Sequence, residues 1–237
     1  MKKSMVFRFL LIIQVLFCTC LFGQKQVSFF GKNLLKNPGA ETPKTTTGIN
    51  GWKPLQDTGN FTFLCASYGE IKGEWAKNCD ESCGIPADAG KRYFRFPTDA
   101  AHRELGLFQD IDLKPIIDSL KSRNVSCDLM AFIAGLPCSK HGCATGSVNM
   151  IYYSADGKEI KHQESERDNA ELMGVQGNPE AMRQYDLILV HNQVPVNATR
   201  IRIVMKAKAG SCCTKPYIFF DNLSLTLVNE GPRAVKK

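Results

Sequence analysis

An all-β fold, a β-sandwich carrying long disulfide-bonded loops, is what this 237-residue sequence predicts. Three observations lead there. The first is that apolar residues alternate with period two in short blocks parted by Gly, Pro and Asp turns, and the second that few stretches carry a helical period. The third is the supply of cysteines behind an apolar leader, which places the chain where disulfides form.

Residues 1–23 have the pattern of a secretory signal peptide. Lys2, Lys3 and Arg8 form a basic start, the run 9–22 is apolar apart from Gln14, Cys18, Thr19 and Cys20, and Gly23 supplies a small residue at a cleavage point. A run of this length falls short of the roughly 20 residues that a spanning helix needs. Cys18 and Cys20 raise a lipoprotein alternative, but Phe17 and Thr19 are poor residues before a lipidated cysteine. The protein is therefore expected to be secreted and extracellular, with no membrane insertion. One domain is expected over 24–228, followed by a polar tail, 229–237.

In order along the chain, LGLFQDIDL places Leu105, Leu107, Ile111 and Leu113 in alternation, and KPIIDSLKS after it is read as a short helix. CDLMAFIAGL is apolar in both phases, as a strand covered on both faces would be. VNMIYY alternates through Val148, Met150 and Tyr152 and ends at the turn Ala155-Asp156-Gly157, so at most one of Tyr152 and Tyr153 faces the core. PEAMRQY is read as a second short helix, and Leu187 and Leu189 as the alternating pair of YDLILV. Ile201, Ile203 and Met205 alternate in IRIVM. In the closing FFDNLSLTL, strict alternation puts Phe219, Asp221, Leu223, Leu225 and Leu227 on one face, so a carboxylate would stand in line with core leucines. Such a group must be paired, hydrogen-bonded or metal-bound.

Without the leader, 27 basic residues stand against 23 acidic ones, a mild excess scattered along the chain. That distribution does not indicate nucleic acid. Eight cysteines follow the leader: Cys65, Cys79, Cys83, Cys127, Cys138, Cys143, Cys212 and Cys213. All eight are disulfide candidates, and eight allow 105 pairings. The neighbours Cys212 and Cys213 are each expected to bridge elsewhere. Cys138, His141 and Cys143 leave a zinc alternative open. Sequons stand at Asn60, Asn124, Asn197 and Asn222, so a eukaryotic source would make this a glycoprotein.

No G-x-S-x-G, H-E-x-x-H or P-loop occurs, and no histidine is spaced to serve a nucleophile, so the chain is not expected to be an enzyme. Asp110 and Asp112 share a strand face, the one arrangement that mimics a glycosidase carboxylate pair. For a ligand, Tyr68 and Trp75 are the aromatic candidates, and Glu74 and Arg95 the polar ones. Trp52 is expected in the core. Glu41, after its Pro-Gly turn, and Asp221 offer two hard oxygen ligands for calcium, with backbone carbonyls completing the shell.

The segments NLLKNPGAE…GW, LGLFQDIDL, VPVNATRIRIVM and FDNLSLTL, in this order, resemble the galactose-binding-like jelly-roll superfamily, and within it the secreted carbohydrate-binding modules. A slighter similarity, through NLLKNPGAE and CASYG, is to the glycan-reading domain of sugar-binding F-box proteins. The first resemblance implies a jelly roll, a lectin-like carbohydrate or glycoprotein ligand, and a structural Ca2+ held by Glu41 and Asp221, with carbonyls near Lys91 and Arg92. The cysteines and the insertion EWAKNCDESCGIPADAG depart from the common pattern, so the ligand loops need not follow it. The alternative function is an extracellular structural or adhesion protein that contacts matrix or cell-surface proteins through the same sandwich.

Overall fold

The structure, a computed structural model, describes residues 29–42, 49–55, 64–67, 90–97, 104–135, 144–168, 186–209 and 217–233. The described strands are β1 (Lys53–Pro54), β2 (Leu64–Ser67), β3 (Arg92–Pro97), β4 (Glu104–Asp112), β5 (Arg123–Gly135), β6 (Ala144–Tyr153), β7 (Glu159–Asp168), β8 (Asp186–Gln193), β9 (Arg200–Ala209) and β10 (Tyr217–Pro232). They form two five-stranded sheets, ordered β1-β4-β9-β6-β7 and β2-β3-β10-β5-β8, with every pairing antiparallel. A 3-10 turn, Lys114–Ile116, leads into the short helix α1, Ile117–Ser122, where KPIIDSLKS predicts it. No described helix is long and apolar enough to cross a membrane. The last strand reaches Pro232, four residues into the expected tail.

The core lies between the sheets. Leu105, Leu107 and Ile111 of β4, Val148, Met150 and Tyr152 of β6, and Ile201, Ile203 and Met205 of β9 all point inward, in the phase that alternation predicts. Facing them are Leu129, Ala131 and Ile133 of β5 and Phe94 and Phe96 of β3. Trp52 is buried as expected, edge-on to Phe94 at 5.5 Å, and its indole N–H donates to the Asn37 carbonyl. Tyr153 points outward, so only one of the two tyrosines is in the core.

Three expectations are corrected. In β8 the phase is inverted: Ile188 is fully buried, while Leu187 and Leu189 stand 39% and 69% exposed. The register decides this, because Ile188 pairs with inward Ala131 and Leu189 with outward-leaning Met130. In β10 a bulge between Asp221 and Ser224, with Asn222 at φ 47°, shifts the alternation by one residue. Ile218 and Phe220 therefore share the core face with Leu225 and Leu227, and Phe219 and Asp221 belong to the other phase. Finally, Cys127 is a free thiol sealed in the core, not half of a disulfide. It lies beside the Tyr152 hydroxyl, and burial pushes the thiol up to about 12 although a hydrogen bond with Tyr152 opposes the rise.

Cys79, Cys83, Cys138, Cys143, Cys212, Cys213, the leader and PEAMRQY lie outside the described residues, as do Asn60 and His141. Cys65 is on β2, opposite Phe94.

Candidate functional site

Two constellations stand out, and the first joins the ends of the domain. Residues 30–34 run along β10 through Gly31 N–H to the Leu227 carbonyl (3.0 Å) and Leu34 N–H to the Leu225 carbonyl (2.9 Å). Asn33 stitches the bulge: its amide donates to the Leu223 carbonyl (2.9 Å), and its side-chain oxygen accepts from Leu35 N–H (3.0 Å) and Leu225 N–H (3.1 Å). Asn37, at φ 49°, folds the next turn by bonding both the N–H and the carbonyl of Thr42. The motif NLLKNPGAE is thus a pair of asparagine clamps, one fastening the segment to the last strand and the other folding the turn that carries Glu41 to the start of β3.

Glu41 Oε1 accepts the Arg92 N–H at 2.9 Å, and Asp221, fully buried, accepts the Asn222 N–H at 2.8 Å. A Cβ placed on Gly39 would sit 3.3 Å from Asp221 Oδ1 and 3.9 Å from Glu41 Cγ, so the two acids flank one glycine. At Gly90 a Cβ would fall 2.0 Å from Glu41 Oε1, which makes glycine a condition of the carboxylate's position. Hard carboxylate oxygens beside exposed backbone are a donor set that fits Ca2+. Among the described residues no group of three or more His, Cys, Asp or Glu is arranged for a metal, so backbone carbonyls would have to complete the shell.

The second constellation is a groove of about 700 Å3 at the β1–β4 edge. Its lining includes Phe29, Lys36, Asn50, Lys53, Phe108 and Asp110. Strand alternation creates it: with Leu107, Gln109 and Ile111 turned inward, Phe108, Asp110 and Asp112 face out. Gln109, though polar, is buried because it serves as a brace, accepting the Lys36 N–H (2.7 Å) and donating to the Lys36 and Gly51 carbonyls (3.0 and 2.9 Å). That brace holds the groove's walls to β4.

Beside the groove, Arg202 forms a bidentate pair with Asp110 (2.8 and 2.9 Å). Partial burial opposes ionisation of Asp110, but the bond to Arg202 and the charges of Arg202, Arg200 and Lys53 outweigh it and hold the carboxyl below its ordinary range. An arginine-bound Asp110 whose carboxyl is held below its ordinary range is a poor general acid, and Asp112 spends an oxygen on the Lys114 N–H. The aspartate pair is thus tied into surface pairing.

Of the ligand residues expected from sequence, Tyr68, Glu74 and Trp75 lie outside the described residues. Arg95 is on β3, opposite Phe219 in the second sheet, away from this groove. Glu41 and Asp221 stand on either side of Gly39, Glu41 bonded to the Arg92 N–H and Asp221 to the Asn222 N–H. Asn124 is half-buried with its amide near the Pro232 carbonyl, Asn197 is exposed, and Asn222 occupies the bulge. Lys36, Lys53, Phe108, Arg200 and Arg202 were not singled out from sequence. For Phe108, Arg200 and Arg202 the signal was the outward phase of β4 and β9, where F-Q-D and R-I-R set ring and charge against the buried phase; Lys36 and Lys53 carried none.

No family model matches this chain, and no curated protein matches it. Among solved structures it is similar, at low identity, to carbohydrate-binding modules and to part of a phage protein. One is TmCBM61 in complex with β-1,4-galactotriose (16% identity, TM-score 0.44, 84% of this chain and 99% of that one). Another is a family 16 carbohydrate-binding module (16%, 0.45, 82% and 99%). The third is the enzymatically active domain of bacteriophage CBA120 tailspike protein 4 (12%, 0.49, 83% and 21%), of which this chain spans about a fifth. Such likeness assigns neither ligand nor site.

Proposed function

We propose that the protein is a secreted, non-catalytic carbohydrate-binding β-sandwich whose ligand lies in the β1–β4 groove. The observation that carries this reading is the groove itself, where rings and convergent polar side chains line one open cleft of about 700 Å3. A structural Ca2+ at Glu41 and Asp221 would fasten the first segment to the last strand; it supplies charge neutralisation for a buried carboxylate and no chemistry. A glycan array probed with the mature protein, with and without calcium, is expected to give positive spots. A blank array in both conditions overturns the sugar reading.

A second reading has its own observation. Leu187 and Leu189 stand exposed beside Met130 and Phe132 on the outer face of the second sheet, an apolar patch suited to a protein partner. Cell-surface binding that survives glycosidase digestion and is lost in L187S/L189S would favour it.

A further inference from the structure

A cation lies over each partly exposed aromatic ring in or beside the groove, two of them on the outer face of the first sheet and one on the segment before β1. Arg202 lies 4.0 Å from the centroid of Phe108, Arg200 lies 4.3 Å from that of Tyr153, and Lys32 Nζ lies 5.5 Å from that of Phe29. Trp52, the remaining aromatic of the lining, is buried against Phe94. A neutral sugar stacks its C–H face on an open ring. A guanidinium laid on a ring offers in-plane N–H donors instead, a geometry that fits the oxygens of carboxylate and sulfate.

The charges are unevenly matched. Asp110 is committed to Arg202, whereas Arg200 reaches Asp110 only at 3.7 Å and its Nε is buried with no hydrogen-bond partner. Lys36 and Lys53 line the groove, exposed, and neither amine makes an ion pair among the described residues. Lys36 and Lys53 in the lining, with Lys32, Arg200 and Arg202 beside it, therefore stand against two carboxylates, Asp110 and Asp112, and a net positive field of three charges remains.

We infer that the groove takes an acidic saccharide, one bearing carboxylate or sulfate groups, through Lys36, Lys53 and Arg200. This rests on the carbohydrate reading above and sharpens its ligand class. Arg200 would receive an acidic group bidentately from its stack on Tyr153, and the two lysines would neutralise further charge along the cleft.

The test is titration of the mature protein with four polymers: polygalacturonate, a sulfated galactan, a neutral galactan and polyglutamate. At least one acidic polysaccharide is expected to bind about tenfold or more tighter than the neutral one, with affinity falling as salt shortens the screening length. The K36Q/K53Q double variant, at two exposed positions, should lose about tenfold or more of that affinity with its melting temperature unchanged, and Arg200→Lys should lose part of it. Preference for the carboxylated or for the sulfated polymer identifies which acid the site takes. Equal binding of neutral and acidic galactans overturns the inference and leaves the carbohydrate reading standing; no binding to any saccharide removes both. Polyglutamate binding as tightly as the acidic polysaccharides, or an unaffected double variant, overturns it as well.

Discussion

At the residue scale, the arrangement of Glu41, Gly90 and Asp221 makes separable predictions. The group that a Gly90→Ala methyl would strike is the end of an exposed side chain, so Glu41 can swing away at little cost. That variant should lie within about 0.5 kcal/mol of wild type in chelator, yet lose the calcium-dependent rise in melting temperature. Asp221→Asn should also lose the rise. If wild type shows no rise, the calcium proposal fails. Asp110 makes a pH prediction. Its folded pKa is depressed below the ordinary 3.8, so its pairing stabilises the fold above that pH and the contribution disappears as pH falls through the lower, folded value. Asp110→Asn should thus be less stable than wild type at neutral pH and converge with it in acid, as read by urea titrations across pH. A constant gap would contradict this. The acids Glu41 and Asp221 were legible in the sequence, from the Pro-Gly turn and the closing strand, as candidates whose calcium role is a proposal. The route was not, because the bulge at Asn222 places Asp221 opposite the phase that strict alternation assigns.

At the element scale, β4, β6 and β9 were legible because each has one apolar phase and one polar phase. D-L-I-L-V in β8 is apolar in both phases, so its own sequence carries no orientation; pairing with β5 supplies it. Two variants check the inversion. Ile188→Ala should cost about 2–4 kcal/mol through its cavity, and Leu189→Ser should change stability by no more than about 0.5 kcal/mol. Equal losses would refute the register. Cys127 misled for a related reason: counting cysteines behind a leader says nothing of strand phase, and the inward phase of β5 buries this one. Its thiol should react with an alkylating reagent only after denaturation, read by mass at each step. Rapid alkylation of Cys127 in the native protein would contradict that burial.

Across the whole molecule, the two outer sheet faces differ in character. The first is polar and cationic around a groove; the second carries Leu187 and Leu189. The groove could not be read from sequence because it is assembled from residues within 29–36, 49–54 and 108–115, with Arg200 and Arg202 beside it, each ordinary in its own segment and joined only by sheet order. Proton–nitrogen correlation NMR of the mature protein, titrated with the best saccharide found by the array, tests the central claim most directly. The account predicts saturable shifts at Lys36, Lys53, Phe108 and Arg200–Arg202, with Leu187–Val190 unmoved. Shifts confined to β5 and β8, or none at saturating saccharide, would contradict it.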